Sequence, residues 1–72
     1  MKINLTNDKI KTFMVTVLKY EEKILLNNSI NAKSLYSVMN LVPNTFEVEI
    51  ITNNSEKIMK FNKEMEEFKY ED

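Results

Sequence analysis

The sequence predicts a two-layer α+β domain in which helices cover one face of a four-stranded sheet. Some segments alternate apolar and polar residues, whereas others repeat apolar residues at helical spacing, and pairs of asparagine lie between them. The predicted order is strand, helix, strand, strand, helix, strand, helix. We expect all 72 residues to form a single domain.

The first strand and the first helix follow each other directly. Residues 1–5 alternate apolar and polar side chains, as a half-buried strand does. Thr6 is a candidate helix N-cap, because its hydroxyl oxygen can accept a hydrogen bond from a free backbone N–H. The helix is predicted to run to about Tyr20, with one apolar face made by Ile10, Phe13, Met14 and Val17.

A short hairpin is predicted next, with residues 23–26 as one strand and residues 30–33 as the other. The chain contains no glycine, so its tight turns must use residues that tolerate a left-handed backbone. Asparagine is the usual substitute, and Asn27 and Asn28 stand between the two strands. The pair Asn53 and Asn54 is predicted to turn the chain in the same way after the last strand.

Ser34 is the candidate N-cap of a short helix, whose apolar residues are Leu35, Val38, Met39 and Leu41. Pro43 ends this helix and favours an extended backbone at Val42. The strand at residues 46–50 follows, with Phe46, Val48 and Ile50 alternating with Glu47, Glu49 and Ile51.

Ser55 is the candidate N-cap of the last helix, which has an apolar stripe of Ile58, Phe61, Met65 and Phe68. The same helix is expected to turn its charged residues toward solvent, namely Lys60, Lys63, Glu64 and Glu67. The end of the chain from Tyr70 onward is expected to fray.

The composition argues against catalysis. Histidine and cysteine are absent, which removes the usual metal ligands, the commonest general base and the thiol nucleophile. Glycine-rich phosphate loops are also impossible. Carboxylates are present at Glu64, Glu66 and Glu67, but they lie on a lysine-rich helix face. We interpret them as solvated surface residues and not as a catalytic pair. We therefore expect no enzyme activity, no cofactor and no metal site.

Nucleic acid and membrane are both poor partners for this sequence. The formal net charge is −1 and every basic residue is lysine, so the electrostatic attraction to nucleic acid is lacking. No apolar stretch approaches the roughly 20 residues that cross a bilayer. Residues 1–5 do not form the apolar core of a signal peptide, so we expect a cytoplasmic protein.

The short helix after Ser34 carries apolar residues around more than one face. A domain of this size cannot bury all of them, so some of Leu35, Tyr36 and Met39 are expected to be exposed. A cluster of exposed apolar side chains suggests a partner-binding site. A fully buried helix is the alternative that the pattern leaves open.

The central segment resembles the HPr family, the small phosphocarrier proteins of the bacterial phosphoenolpyruvate-dependent sugar phosphotransferase system. The resemblance covers residues 31–41, Asn-Ala-Lys-Ser-Leu-Tyr-Ser-Val-Met-Asn-Leu, and residues 46–50, Phe-Glu-Val-Glu-Ile. The family pattern there is a Lys-Ser pair, two apolar residues, a small residue, Val-Met-x-Leu and an amphipathic strand. The resemblance implies an open-faced β-sandwich of order βαββαβα, with an antiparallel sheet and three helices on one face.

The resemblance fails where the family holds its phosphoryl group. Aligned on Tyr20, Thr6 stands at the position of the phosphorylated histidine, Asp8 at that of the following arginine and Lys9 at that of the proline. A threonine ester is not expected to pass a phosphoryl group onward as a phosphoimidazole does, and Asp8 would repel the phosphate. The phosphocarrier role is therefore excluded, and we expect a degenerate member of the family.

Other positions carry over from the family. Ser34 aligns with the serine phosphorylated for regulation in Gram-positive members, although a simple cap is the other interpretation. Leu35, Tyr36 and Met39 fall on the family's apolar partner-contact surface. The implied role is a regulatory or protein-binding module whose short helix, residues 34–41, contacts phosphotransferase-system enzymes, an HPr-type kinase or a transcription regulator. A structural, self-associating domain unrelated to sugar transport is the rival hypothesis.

Overall fold

Residues 1–70 form four strands and three helices in the order βαββαβα. The computed structural model describes residues 1–70. Its strands are β1 (Lys2–Leu5), β2 (Lys23–Leu26), β3 (Ile30–Asn31) and β4 (Asn44–Ile51). Its helices are α1 (Ile10–Val17), α2 (Leu35–Leu41) and α3 (Ser55–Met65). The strands form one open antiparallel sheet of order β1-β4-β2-β3, which confirms the predicted fold class.

The sheet buries one face and leaves the other in contact with water. Ile3 lies opposite Phe46 and Ile24 lies opposite Ile50, and all four are buried. The residues between them point to the other face, because side chains alternate along a strand. The three helices add to the core on the buried face; their fully buried side chains are Phe13, Val17, Val38, Phe61 and Met65.

The hairpin turn confirms the predicted role of asparagine. Asn27 and Asn28 have φ angles of 52° and 64°, in the left-handed region that glycine would otherwise occupy. Strand β3 is only two residues long, so the predicted arm of residues 30–33 was too long. The Ala32 N–H still donates to the Ile24 carbonyl of β2 at 2.9 Å. The side chain of Asn31 then accepts a hydrogen bond from the Lys33 N–H at 2.9 Å in a local turn that leads to α2.

The start of the first helix differs from the prediction. Thr6 has an extended backbone, but its hydroxyl donates a hydrogen bond to the Asp8 carboxylate and caps no backbone N–H. A 3₁₀ turn, Asn7–Lys9, therefore precedes α1. The helix also ends earlier than expected, at Val17, where tighter bonds such as Tyr20 N–H to Val17 C=O take over.

The last helix is capped one residue earlier than predicted. The Asn54 side chain accepts hydrogen bonds from the N–H groups of Glu56 and Lys57, at 3.0 and 3.2 Å, whereas Ser55 is the first helical residue. Asn54 has a negative φ, so this asparagine is a cap and not a left-handed turn residue. The apolar stripe is confirmed as core, with Ile58 partly buried and Phe68 in a 3₁₀ turn after α3.

Two boundaries near the ends of strands also need correction. Strand β4 begins at Asn44, two residues before the predicted start at Phe46, immediately after the cis Val42–Pro43 bond. Tyr70 is not frayed, because its N–H donates to the Lys2 carbonyl at 3.1 Å. Glu71 and Asp72, included in the same prediction, lie outside the described residues. Across residues 1–70, no helix has the length and apolarity that a membrane crossing requires.

Candidate functional site

Helix α2 is held at the surface by a small number of contacts. Val38 is its single buried residue, and Leu41 and Val42 pack against the core while partly exposed. The Ser34 hydroxyl oxygen accepts a hydrogen bond from the Ser37 N–H at 3.3 Å, which confirms Ser34 as the N-cap. At the other end Val42 is extended, as expected before Pro43. The helix therefore has a defined start, end and inward face.

The outward face of α2 is apolar. Leu35, Tyr36 and Met39, here called the α2 patch, are 51%, 79% and 57% exposed. Leu35 and Met39 are four residues apart and Tyr36 and Met39 three, so the side chains are neighbours on the helix surface. The structure confirms that these residues are exposed, and the alternative of a fully buried helix is wrong.

The α2 patch is electrically neutral. The sequence has no charged residue between Lys33 and Glu47. The Lys33 ammonium group is occupied by a hydrogen bond to the Tyr20 carbonyl. A partner that covers the patch would therefore gain buried apolar area without removing water from a charged group of α2.

Two exposed apolar residues, one in α1 and one directly after it, were not predicted from the sequence. Val15 and Leu18 are each more than half exposed, and α1 and α2 are in contact with each other. The sequence did contain a signal. Both residues lie outside the predicted apolar stripe at positions 10, 13, 14 and 17, so an amphipathic helix had no buried place for them.

The predicted phosphoacceptor region lies at the 3₁₀ turn before α1. The structure brings Thr6, Asp8 and Lys9 together there. The Thr6 hydroxyl donates a hydrogen bond to the Asp8 carboxylate, and the Lys9 N–H donates one to the Thr6 carbonyl at 3.0 Å. The hydrogen bond from Thr6 is the main cause that lowers the pKa of Asp8. The carboxylate is thus kept ionised, which would repel a phosphate on Thr6. Among the hydrogen bonds of residues 1–70, none links this turn to α2.

A second group of polar side chains ties the loop between α1 and β2 to α3. Glu64 accepts hydrogen bonds from Lys19, at 2.5 Å, and from the Tyr20 hydroxyl. Glu22 forms an ion pair with Lys57, near the start of α3. Glu64 is half-buried, so the prediction that it faces solvent freely was wrong. The ring of Tyr20 packs edge-on against Phe61 below it.

The contacts in this group shift the pKa values of its members toward the protonation states that the hydrogen bonds need. The pKa of Glu64 is lowered, first by the hydrogen bond from Lys19 and then by that from Tyr20. Burial, followed by the hydrogen bond to Glu64, raises the pKa of Tyr20, so the hydroxyl remains a donor. The pKa of Glu22 is lowered by its hydrogen bond from Lys57. Each carboxylate is paired with a lysine across the contact, which is typical of a structural contact and not of a catalytic pair. We call this group the clasp; its residues are Lys19, Tyr20, Glu22, Lys57 and Glu64.

Neither a metal centre nor a known relative adds to this description. Among the residues that the structure describes, no three Asp or Glu side chains are grouped so that they could hold a metal ion. The α2 patch is consequently the strongest candidate site in residues 1–70. No family model matches the chain, and neither a curated protein nor a solved structure matches it.

Proposed function

We propose that this protein is a binding module that docks a protein partner on the α2 patch. The observation that carries the proposal is the exposure of Leu35, Tyr36 and Met39 on one neutral helix surface. Large apolar side chains at neighbouring exposed positions are costly in water and are typical of contact surfaces. Tyrosine is also among the residues most often found at the energetic centre of interfaces.

The way α2 is held supports the same proposal. Buried Val38, the Ser34 cap and the stop at Pro43 fix the position of the helix before any partner arrives. A surface fixed in this way loses little conformational entropy on binding.

We further propose that the module is a degenerate HPr-like protein of the phosphotransferase-system family. The element order and the single antiparallel sheet of four strands agree with what that resemblance implies and lend it support. The chemistry of Thr6 and Asp8 supports a role without phosphoryl transfer, because an ionised carboxylate stands where phosphate would be held. The proposed partners are phosphotransferase-system enzymes, an HPr-type kinase or a transcription regulator in the bacterial cytoplasm.

Binding of purified enzyme I and of an HPr-type kinase, measured by calorimetry, tests this proposal. The variant Met39→Asp is expected to weaken binding at least about tenfold, because it places a charge inside an apolar contact. Met59→Asp is the matched control. Met59 is 72% exposed on α3, outside the α2 patch, and its replacement is expected to leave binding unchanged.

The outcome separates the proposal from its rivals. Equal loss of binding in the Met39 and Met59 variants would contradict docking on the α2 patch. Incubation with phosphoenolpyruvate and enzyme I is expected to leave the protein unlabelled, and a labelled product would contradict the interpretation of Thr6. The neutrality of the patch also suits a second copy of the chain. If neither protein binds and Met39→Asp abolishes concentration-dependent dimerisation, the self-associating domain is the better description.

A further inference from the structure

Lys33 lies between two regions of the molecule, the clasp and helix α2. It stands directly before the Ser34 cap and is half-buried. Its ammonium group donates a hydrogen bond to the Tyr20 carbonyl, 13 positions earlier in the chain. Its backbone N–H donates to the Asn31 side chain at 2.9 Å, so the residue is held at both ends. Lys33 therefore joins the chain just before α2 to the chain just after α1.

Tyr20, which accepts this hydrogen bond, is itself firmly held and only 8% exposed. Its ring meets Phe61 edge-on with the ring centroids 5.4 Å apart, and its hydroxyl donates to Glu64. Its N–H donates to the Val17 carbonyl at 3.3 Å, which continues the last turn of α1. A carbonyl at the C-terminal end of a helix favours a cation, because it carries part of the negative end of the helix dipole. The ammonium group of Lys33 thus has a fixed acceptor of suitable charge.

The charge of Lys33 also acts on the clasp. The pKa of Glu22 is lowered first by its hydrogen bond from Lys57 and, to a smaller extent, by the charge of Lys33. Lys33 is therefore close to a carboxylate as well as to a carbonyl. An apolar side chain of similar length at this position would lose both attractions while keeping most of the packing of the stem.

The first turn of α2 has few other contacts to fix it. Its first backbone hydrogen bond runs from the Val38 N–H to the Ser34 carbonyl at 3.0 Å, and Val38 is the single buried residue of the helix. Leu35 and Tyr36, which open the helix, are exposed and belong to the α2 patch. The position of this part of the patch consequently depends on Ser34 and on the residue before it.

We propose that Lys33 is the positioning residue of the α2 patch and couples the patch to the clasp through Tyr20. The Tyr20 carbonyl holds Lys33, and Lys33 fixes the turn that presents Leu35 and Tyr36. A partner on the patch then meets an ordered helix start and, by linkage, strengthens the clasp in return. The consequence for docking rests on the proposed function, whereas the coupling within the chain does not.

The test is amide hydrogen exchange, followed by NMR, in the unchanged protein and in Lys33→Met. Methionine keeps an apolar stem and removes the ammonium group. Loss of this charge-assisted hydrogen bond is expected to speed the exchange of the Val38 and Val42 N–H groups about tenfold. The Val48 N–H, which lies in the sheet, is the reference and should change by less than about twofold, because the whole domain is not being unfolded.

The coupling is tested by Tyr20→Phe, which removes the hydroxyl bond to Glu64 and keeps the ring and the carbonyl. Alone, this variant should speed the exchange of the Val38 N–H about threefold. Added to Lys33→Met, it should cause no further increase at Val38, because both changes act through the same contact.

Two further variants complete the design. Lys33→Arg keeps a cationic donor and should stay within about twofold of the unchanged protein. Lys11→Met is the matched control, because Lys11 is exposed on α1, and it should leave the exchange of the Val38 N–H unchanged. Unaltered exchange at Val38 in Lys33→Met, or an equal rise at Val38 and Val48, overturns the positioning role. Additive effects of Tyr20→Phe and Lys33→Met overturn the coupling.

Calorimetry with the phosphotransferase-system proteins separates this inference from the proposed function. Where one of them binds, Lys33→Met is expected to weaken binding about fivefold although Lys33 lies outside the α2 patch. Equal binding would overturn the consequence for docking. If neither protein binds the unchanged chain, the proposed function fails, while the exchange measurements still decide the coupling.

Discussion

Helices α2 and α3 both follow a strand and both begin with a side-chain cap, but they relate to the core in opposite ways. Helix α3 has 11 residues, buries Phe61 and Met65, and is tied to the α1–β2 loop by polar contacts at Lys57 and Glu64. Helix α2 has seven residues and buries one, Val38. Its exposed face is apolar, whereas that of α3 is rich in Lys and Glu.

Helix α3 thus closes the core, whereas α2 exposes an apolar surface to solvent. The contacts of α3 account for its own position and leave one large apolar side chain, Met59, exposed. The contacts of α2 leave three, Leu35, Tyr36 and Met39, each more than half exposed. The apolar face of α2 is therefore exposed where the proposed partner would dock.

The largest expected effect is the loss of the α3 core contact. Phe61→Ala removes a fully buried ring that meets Tyr20 edge-on, and is expected to lower the free energy of unfolding by about 3–5 kcal/mol. A domain of this size has a stability of only roughly 5 kcal/mol, so the variant should retain no more than about 2 kcal/mol. Urea unfolding followed by circular dichroism measures it. Met59→Ala on the same helix should stay within about 0.5 kcal/mol, and a similar loss in both would contradict the assignment.

A smaller effect is expected at the two caps. Asn54→Ala removes an acceptor used by two N–H groups and should cost about 1–2 kcal/mol, whereas Ser34→Ala removes one longer bond and should cost about 0.5–1 kcal/mol. The same urea experiment compares the two. A larger loss at Ser34 than at Asn54 would mean that α2 is held more firmly than its contacts indicate.

The main elements were predictable because they follow from short-range patterns. Alternation placed β4 and the buried set at Phe46, Val48 and Ile50, and helical spacing placed Phe61 and Met65 in the core. The left-handed turn at Asn27 and Asn28 followed from the lack of glycine. Exposure of the α2 patch followed from having more apolar surface than a small domain can cover.

The errors arose where several residues could take the same role. Thr6 and Ser55 are both residue types that cap helices well. The Thr6 hydroxyl, however, donates its hydrogen bond to the nearby Asp8 carboxylate. At α3, the Asn54 side chain and not that of Ser55 accepts from the free N–H groups. The partners of Glu64 are Lys19 and Tyr20, 45 and 44 positions away, and no local pattern encodes such contacts.

The smallest expected effect distinguishes the clasp on α3 from its solvated face. The pKa of Glu64 is lowered below 4.5 in the folded protein by Lys19 and Tyr20, so its contribution to stability is present above the unfolded pKa and is lost as the pH falls through the folded value. Glu64→Gln removes the charge but keeps an acceptor for Tyr20. At about pH 7 the free energy of unfolding should be lower for this variant than for the unchanged protein, and this gap between the two should narrow at about pH 3. Because ion pairs near the surface contribute little in water, the gap should be smaller than the loss at either cap.

Glu67→Gln is the control, because Glu67 lies on the exposed turn after α3, and this variant should show no such gap. A gap equal to that of Glu64→Gln would mean that the general charge of the protein, and not the contact of Glu64 with Lys19 and Tyr20, sets the acid response.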